Sequence, residues 1–63
     1  MQQRLTRARR TIAPYQVADP DMYAALVDAV TDVLHLADSC DINPKDVLRC
    51  AAGHWHVERK GEE

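Results

Sequence analysis

Three observations predict an all-α fold built on an αα-hairpin. Asp19-Pro20-Asp21 and Asn43-Pro44-Lys45 each place a capping side chain before a proline, which suits the first position of a helix. Apolar residues then recur with helical spacing after both starts. Because only a short connection, 39–42, separates the two segments, helices over about 20–38 and 44–58 should fold back on each other.

The first predicted helix carries an apolar arc that one partner helix cannot cover. The residues nearest the centre of that arc are Met22, Leu26, Ala29, Val30, Val33, Ala37 and Cys40. Tyr23, Val27, Leu34 and Leu36 widen the arc to roughly 200° at 100° per residue. The second helix should turn Val47, Leu48, Ala51, His54 and Trp55 inward. A homodimer is therefore expected, with Leu34, Leu36 and Trp55 as dimer or core contacts.

The segment before this hairpin is basic and partly helical by pattern. Leu5, Ala8 and Ile12 are spaced for a short helix, whereas Pro14 disfavours helical geometry at the residue before it, so 13–17 should be extended. The chain is thus expected to form one small domain. Its parts are a basic arm or short helix (1–18), the hairpin (19–58) and a frayed tail (59–63).

Charge is divided sharply between these parts. Residues 1–18 hold four arginines and no acid, whereas 19–46 hold seven aspartates against one lysine. The polar side of the first predicted helix is a candidate partner-binding acidic face, made of Asp21, Asp28, Asp32, His35 and Asp38. The arm could neutralise nucleic-acid phosphates, or pair with the acidic face of its own chain or of a second subunit, through Arg4, Arg7, Arg9 and Arg10.

Length and composition argue against an enzyme. A chain of 63 residues hides only about 60% of its unfolded surface on folding, which leaves no room for a deep substrate pocket. The sequence contains no nucleophile–base arrangement and no Gly-rich phosphate loop, so neither a catalytic residue nor a cofactor is expected. Without a signal peptide pattern or an apolar run of spanning length, the expected location is the cytoplasm, with reduced thiols and no membrane contact.

The histidines and cysteines offer one further alternative. Cys50 and His54 are one helical turn apart, but neither Cys-x2-Cys nor His-x3-His occurs, so no metal site is predicted. Whether this pair binds any metal stays open at the level of sequence. In the simpler interpretation Cys40 and Cys50 are small core residues.

The stretch 25–58 follows the pattern D-x-x-H-x-x-D, a short turn, and L-x-x-A-x-x-H-[YW]-x-x-E. The matching residues are Asp32, His35, Asp38, Leu48, Ala51, His54, Trp55 and Glu58. In this it resembles small accessory proteins of bacteriophages and other mobile elements. The resemblance implies a genomic setting, that of a short accessory gene in a phage or integrated element. Small acidic proteins in that setting often bind and block a host machine, including CRISPR effectors, which makes an anti-CRISPR-like inhibitor the expectation.

The leading hypothesis is therefore a non-enzymatic, dimeric helical protein that binds a host protein through its acidic face and inhibits a host defence system. Complementary charge of this kind speeds encounter and sets specificity. The alternative is a small nucleic-acid-binding regulator that uses the N-terminal arginines.

Overall fold

A computed structural model describes residues 2–61 and shows an all-α chain. Its helices are α1 (Gln2–Ala18), α2 (Met22–Ser39) and α3 (Pro44–Lys60), and the described residues contain no strand. The predicted all-α class is confirmed, and helices exist at both predicted places with shifted ends. The chain divides within α2 into two compact units, the first ending at Val33 and the second beginning at Leu34. In the tail, α3 continues through Arg59 and Lys60; 62 and 63 lie outside the described residues.

The prediction for the N-terminal segment was wrong in its second half. α1 continues through Pro14 to Ala18, so 13–17 is helical and not extended. Proline inside a helix removes one backbone hydrogen bond and costs about 3 kcal/mol. Two contacts offset that cost, because Ile12 and Tyr15, on either side of the proline, pack on the first turns of α2. The amide of Asp19 also donates to the carbonyl of Tyr15 at 2.9 Å, which extends the bonding past the proline.

α2 begins two residues later than the sequence indicated. Asp21 caps the helix: its carboxylate accepts from the amide of Tyr23 at 3.2 Å, and its carbonyl accepts from Ala25 at 2.9 Å. Asp19, which was the predicted cap, instead accepts from the amide of Asp21 at 3.0 Å. Pro20 therefore lies in the connection, where its fixed φ shapes the approach to the helix.

The core of the first unit is very small. Its buried residues are Ile12, Ala25 and Ala29, which are 6%, 0% and 9% exposed, with Tyr15 packed beside them. Ala25, Ala29 and Asp32 are four and three residues apart, so α1 covers one edge of α2 and reaches only Ala29 of the residues predicted nearest the centre of the apolar arc. Leu26 and Val30, near that centre, remain about half exposed at 50% and 45%. The small side chains of Ala25 and Ala29 let α1 approach closely along this edge.

The turn between α2 and α3 is a Schellman motif in which an aspartate occupies the left-handed position. Asp41 has a φ of 60°. The amide of Ile42 donates to the carbonyl of Ala37 at 2.9 Å, and the amide of Asp41 donates to the backbone carbonyl of Asp38 at 3.1 Å. α3 then starts as predicted. Asn43 is its N-cap, with the side chain accepting from Lys45 at 2.9 Å, and Pro44 follows at the first helical position.

The inward face predicted for α3 is wrong. No residue of this helix is buried: Val47 is half-buried, whereas Leu48, Ala51, His54 and Trp55 are exposed. Within the second unit only the end of α2 is available for packing, and it buries a single residue, Ala37. The two cysteines are exposed as well, so Cys40 and Cys50 are not core residues. A Cβ atom added at Gly53 would meet nothing within 4 Å in this chain.

Candidate protein-binding surfaces

The predicted acidic face is anchored to α1 by a hydrogen bond. The hydroxyl of Tyr15 donates to the Asp32 carboxylate at 2.8 Å. This bond raises the pKa of Tyr15 above its ordinary value of 10.0, with smaller contributions from desolvation and from the charges of Asp32 and Asp28. Asp32 accepts the hydrogen bond of the Tyr15 hydroxyl, and the charge of Asp28 has a smaller effect on the same group. The two carboxylates therefore lie on the side of α2 that faces Tyr15.

The five residues of the acidic face differ in their local contacts. Asp21 caps α2 and Asp32 receives the tyrosine hydrogen bond. Asp28 lies near enough to Tyr15 to influence its ionisation. His35 and Asp38 are exposed toward the end of the helix. The face thus combines helix-capping and hydrogen-bonding carboxylates with exposed polar groups.

The basic residues of the N-terminal segment lie on a helix and not on an extended arm. Arg4, Arg7, Arg9 and Arg10 are all exposed on α1. Arg7 and Arg10 share one side of the helix with Gln3 and Thr6, where the four side chains line a shallow depression of about 410 Å³. Because Arg7 and Arg10 are three residues apart on a helix, their guanidinium groups can reach a common ligand.

A third surface, the α2 apolar stripe, was not predicted as a site. It consists of Met22, Tyr23, Leu26, Val27, Val30 and Val33. These side chains are between 43% and 76% exposed, and four of them with Thr31 line an open groove of about 320 Å³. On the helix they span an arc of roughly 140° that contains no charged residue. The wide apolar arc was the sequence signal for this stripe.

The C-terminal end of α3 carries an exposed aromatic and basic group. The Arg59 guanidinium lies 5.3 Å from the centre of the Trp55 ring, and the His56 ring centre lies 6.4 Å from it. With Lys60 they line a depression of about 310 Å³. Of the predicted dimer or core contacts, Leu34 is half-buried, and Leu36 and Trp55 are exposed.

Two further features bear on the nature of the site. Among residues 2–61, no group of three or more His, Cys, Asp or Glu side chains is arranged to hold a metal ion; Cys50 and His54 are both exposed on α3. In the same part of the chain, no helix has the length and apolar character needed to cross a membrane.

Comparison of the chain with protein-family models, with curated proteins and with solved structures finds no match in any of the three.

Proposed function

We propose that this chain is a non-enzymatic protein that binds a basic surface of a partner protein through its acidic face. The observation that carries the proposal is the position of Asp28 and Asp32, two exposed carboxylates one helical turn apart on α2, the second of which accepts the Tyr15 hydrogen bond. Carboxylates four residues apart on a helix are neighbours, so they concentrate negative potential at one place on the surface. A basic partner surface is complementary to that potential.

In this proposal the acidic residues have two different roles in binding. Asp32 is held by Tyr15 and Asp21 is engaged at the helix cap, so both have defined orientations before a partner arrives. Preorganised groups lose less conformational entropy on binding. Asp28 and Asp38 supply the exposed charge that meets the partner's lysines and arginines, which steers the encounter and fixes its register.

The setting of this interaction follows from the resemblance of 25–58 to phage and mobile-element accessory proteins. In that setting the partner is a host protein with a basic groove, such as one that accepts nucleic acid. Occupying the groove would block the host machine without chemistry, as an anti-CRISPR protein does. No catalytic residue and no cofactor takes part in this mechanism.

The test is capture of host proteins from a bacterial lysate with the tagged full-length chain and with a variant that lacks two charges. Asp28→Asn with Asp38→Asn removes two negative charges and leaves the Tyr15–Asp32 bond in place. The expected result is that a basic protein is retained by the wild-type chain, is released by moderate salt, and is retained at least tenfold less by the variant.

A matched control separates the acidic face from net charge. Gln3→Lys with Thr6→Lys, on the outer side of α1, changes the net charge by the same amount and should leave capture unchanged. Equal capture by the wild-type chain and by the Asp28/Asp38 variant, at equal helicity, contradicts the acidic-face function.

The second candidate function is nucleic-acid binding through α1. The observation that favours it is the alignment of Arg7 and Arg10 beside Gln3 and Thr6 on one side of a helix. Phosphate contacts of this kind predict an affinity that falls with the logarithm of the salt concentration. A gel shift at low salt that Arg7→Ala with Arg10→Ala abolishes would support this function, whereas no shift at low salt excludes it.

A further inference from the structure

We infer that the α2 apolar stripe is the interface of a homodimer, in which the stripe of one chain packs on that of a second copy. This surface differs from the contacts predicted from sequence, which were Leu34, Leu36 and Trp55. The inference rests on the exposure of the stripe, on its chemistry and on the smallness of the core, and does not depend on the acidic-face function.

The stripe is exposed along its whole length. Its six apolar side chains are between 43% and 76% exposed. An interface of standard size buries roughly 800 Å² on each partner, and its centre is made of apolar side chains of this kind. A second copy packed along the stripe would remove these side chains from water.

The chemistry of the stripe is that of a permanent interface between helices. Leu26, Val30 and Val33 are four and three residues apart, the spacing that lets side chains of one helix enter the holes of another. The arc contains no charged residue, and depletion of charge distinguishes the centre of protein interfaces from the rest of a surface. A two-fold axis through the stripe would let the same patch serve both copies.

The size of the core explains why the occupant is a second copy. The buried residues of the described chain are one isoleucine and three alanines: Ile12, Ala25, Ala29 and Ala37. Chains of this size often need oligomerisation to supply the missing burial. A cover needed for folding must be present whenever the chain is made, and a second copy meets that condition. A partner of the acidic face would be basic, and the uncharged stripe has no complement for it.

The first test measures the mass of the full chain in solution by sedimentation equilibrium. The expected mass is twice 7.1 kDa at high concentration, falling on dilution together with the thermal midpoint of helicity. Val30→Lys should weaken self-association at least tenfold, whereas Val57→Lys, at an exposed valine of α3, should leave it unchanged. A fully helical monomer at 500 μM overturns the proposal, as does a dimer unaffected by Val30→Lys.

A second measurement avoids dependence on a variant that fails to fold. Cys40 and Cys50 are exposed and can be replaced by serine, after which Val30→Cys places a small thiol in the stripe and Val57→Cys serves as the control. In a dimer, alkylation of the thiol at 30 should slow at least tenfold as the concentration rises, and that at 57 should not change. Equal, concentration-independent rates at both positions overturn the proposal.

Discussion

The hydroxyl of Tyr15 on α1 donates a 2.8 Å hydrogen bond to the carboxylate of Asp32 on α2. The two residues are 17 positions apart, so the bond closes the connection between the helices and aligns them beside the small apolar core. It also sets the orientation of one carboxylate of the acidic face. One contact therefore serves both the packing of the first unit and the electrostatics of its surface.

Removing this hydroxyl should destabilise the fold. Tyr15→Phe keeps the ring against Ile12 and deletes the donor, so the midpoint of urea unfolding should fall at a fixed chain concentration. Tyr23→Phe is the matched control, because Tyr23 is 76% exposed and its ring is outside the core. Equal midpoints for the two variants would show that the bond contributes nothing to stability.

The same bond makes a prediction about pH. The pKa of Tyr15 is raised above 10.0, chiefly by the hydrogen bond to Asp32, because a neutral phenol donates and a phenolate cannot. A group whose folded pKa lies above its unfolded value stabilises the fold fully below pH 10.0, and that stabilisation is lost as the pH rises through the folded pKa.

Ultraviolet titration of the tyrosinate in a Tyr23→Phe background isolates Tyr15. The expected midpoint lies above 10.0, and Asp32→Asn should bring it closer to that value. Asp38→Asn, which neutralises another aspartate of α2, should leave the midpoint where it is. A midpoint unaffected by Asp32→Asn would contradict the cause assigned to the shift.

Gly53 should be replaceable with a gain in stability. It lies inside α3 with open space around its Cα hydrogens, since an added Cβ meets nothing within 4 Å. Gly53→Ala should therefore raise the free energy of unfolding by about 1 kcal/mol, the difference in helix propensity between the two residues. Urea unfolding followed by circular dichroism measures it. A loss of stability would show that a neighbour occupies the space, for example in a dimer.

The turn after α2 offers a test of backbone strain. Asp41 has a φ of 60°, where a Cβ atom is unfavourable and glycine is not. Asp41→Gly should raise the free energy of unfolding by about 0.5 kcal/mol, and Asp41→Val should lower it by about 1 kcal/mol.

Asp38→Gly supplies the opposite control for this turn. Asp38 lies inside the last turn of α2, so glycine there should destabilise the chain by about 1 kcal/mol. The same sign of effect for glycine at 38 and at 41 would contradict the left-handed geometry of Asp41.

Local sequence signals were sufficient for the parts of this structure that depend on local bonding. The Asn43-Pro44 pair predicted the start of α3 because a cap and a proline act on adjacent backbone groups. The helical period predicted α2 with ends shifted by one or two residues. The division of charge predicted an acidic face as a candidate site, and in the structure the Asp32 carboxylate of that face accepts a hydrogen bond from Tyr15.

Signals that compete with packing were not sufficient. Pro14 predicted an end to the first helix, but the contacts of Ile12 and Tyr15 on α2 keep α1 helical through it. Asp19-Pro20 predicted that Asp19 caps α2, but the carboxylate that accepts from the first turn, at the amide of Tyr23, is that of Asp21. The apolar periodicity of α3 predicted a buried face, yet within the second unit little of α2 is available to cover it.

The sequence by itself determined that this chain is helical, where its charges lie and that α2 carries a wide apolar arc. Only the tertiary structure decided which edge of α2 is buried, because the choice between Ala25–Ala29 and Leu26–Val30 depends on how closely α1 can approach. Small side chains allow close approach, so α1 packs on the edge formed by Ala25 and Ala29, and the larger apolar residues of α2 stay exposed.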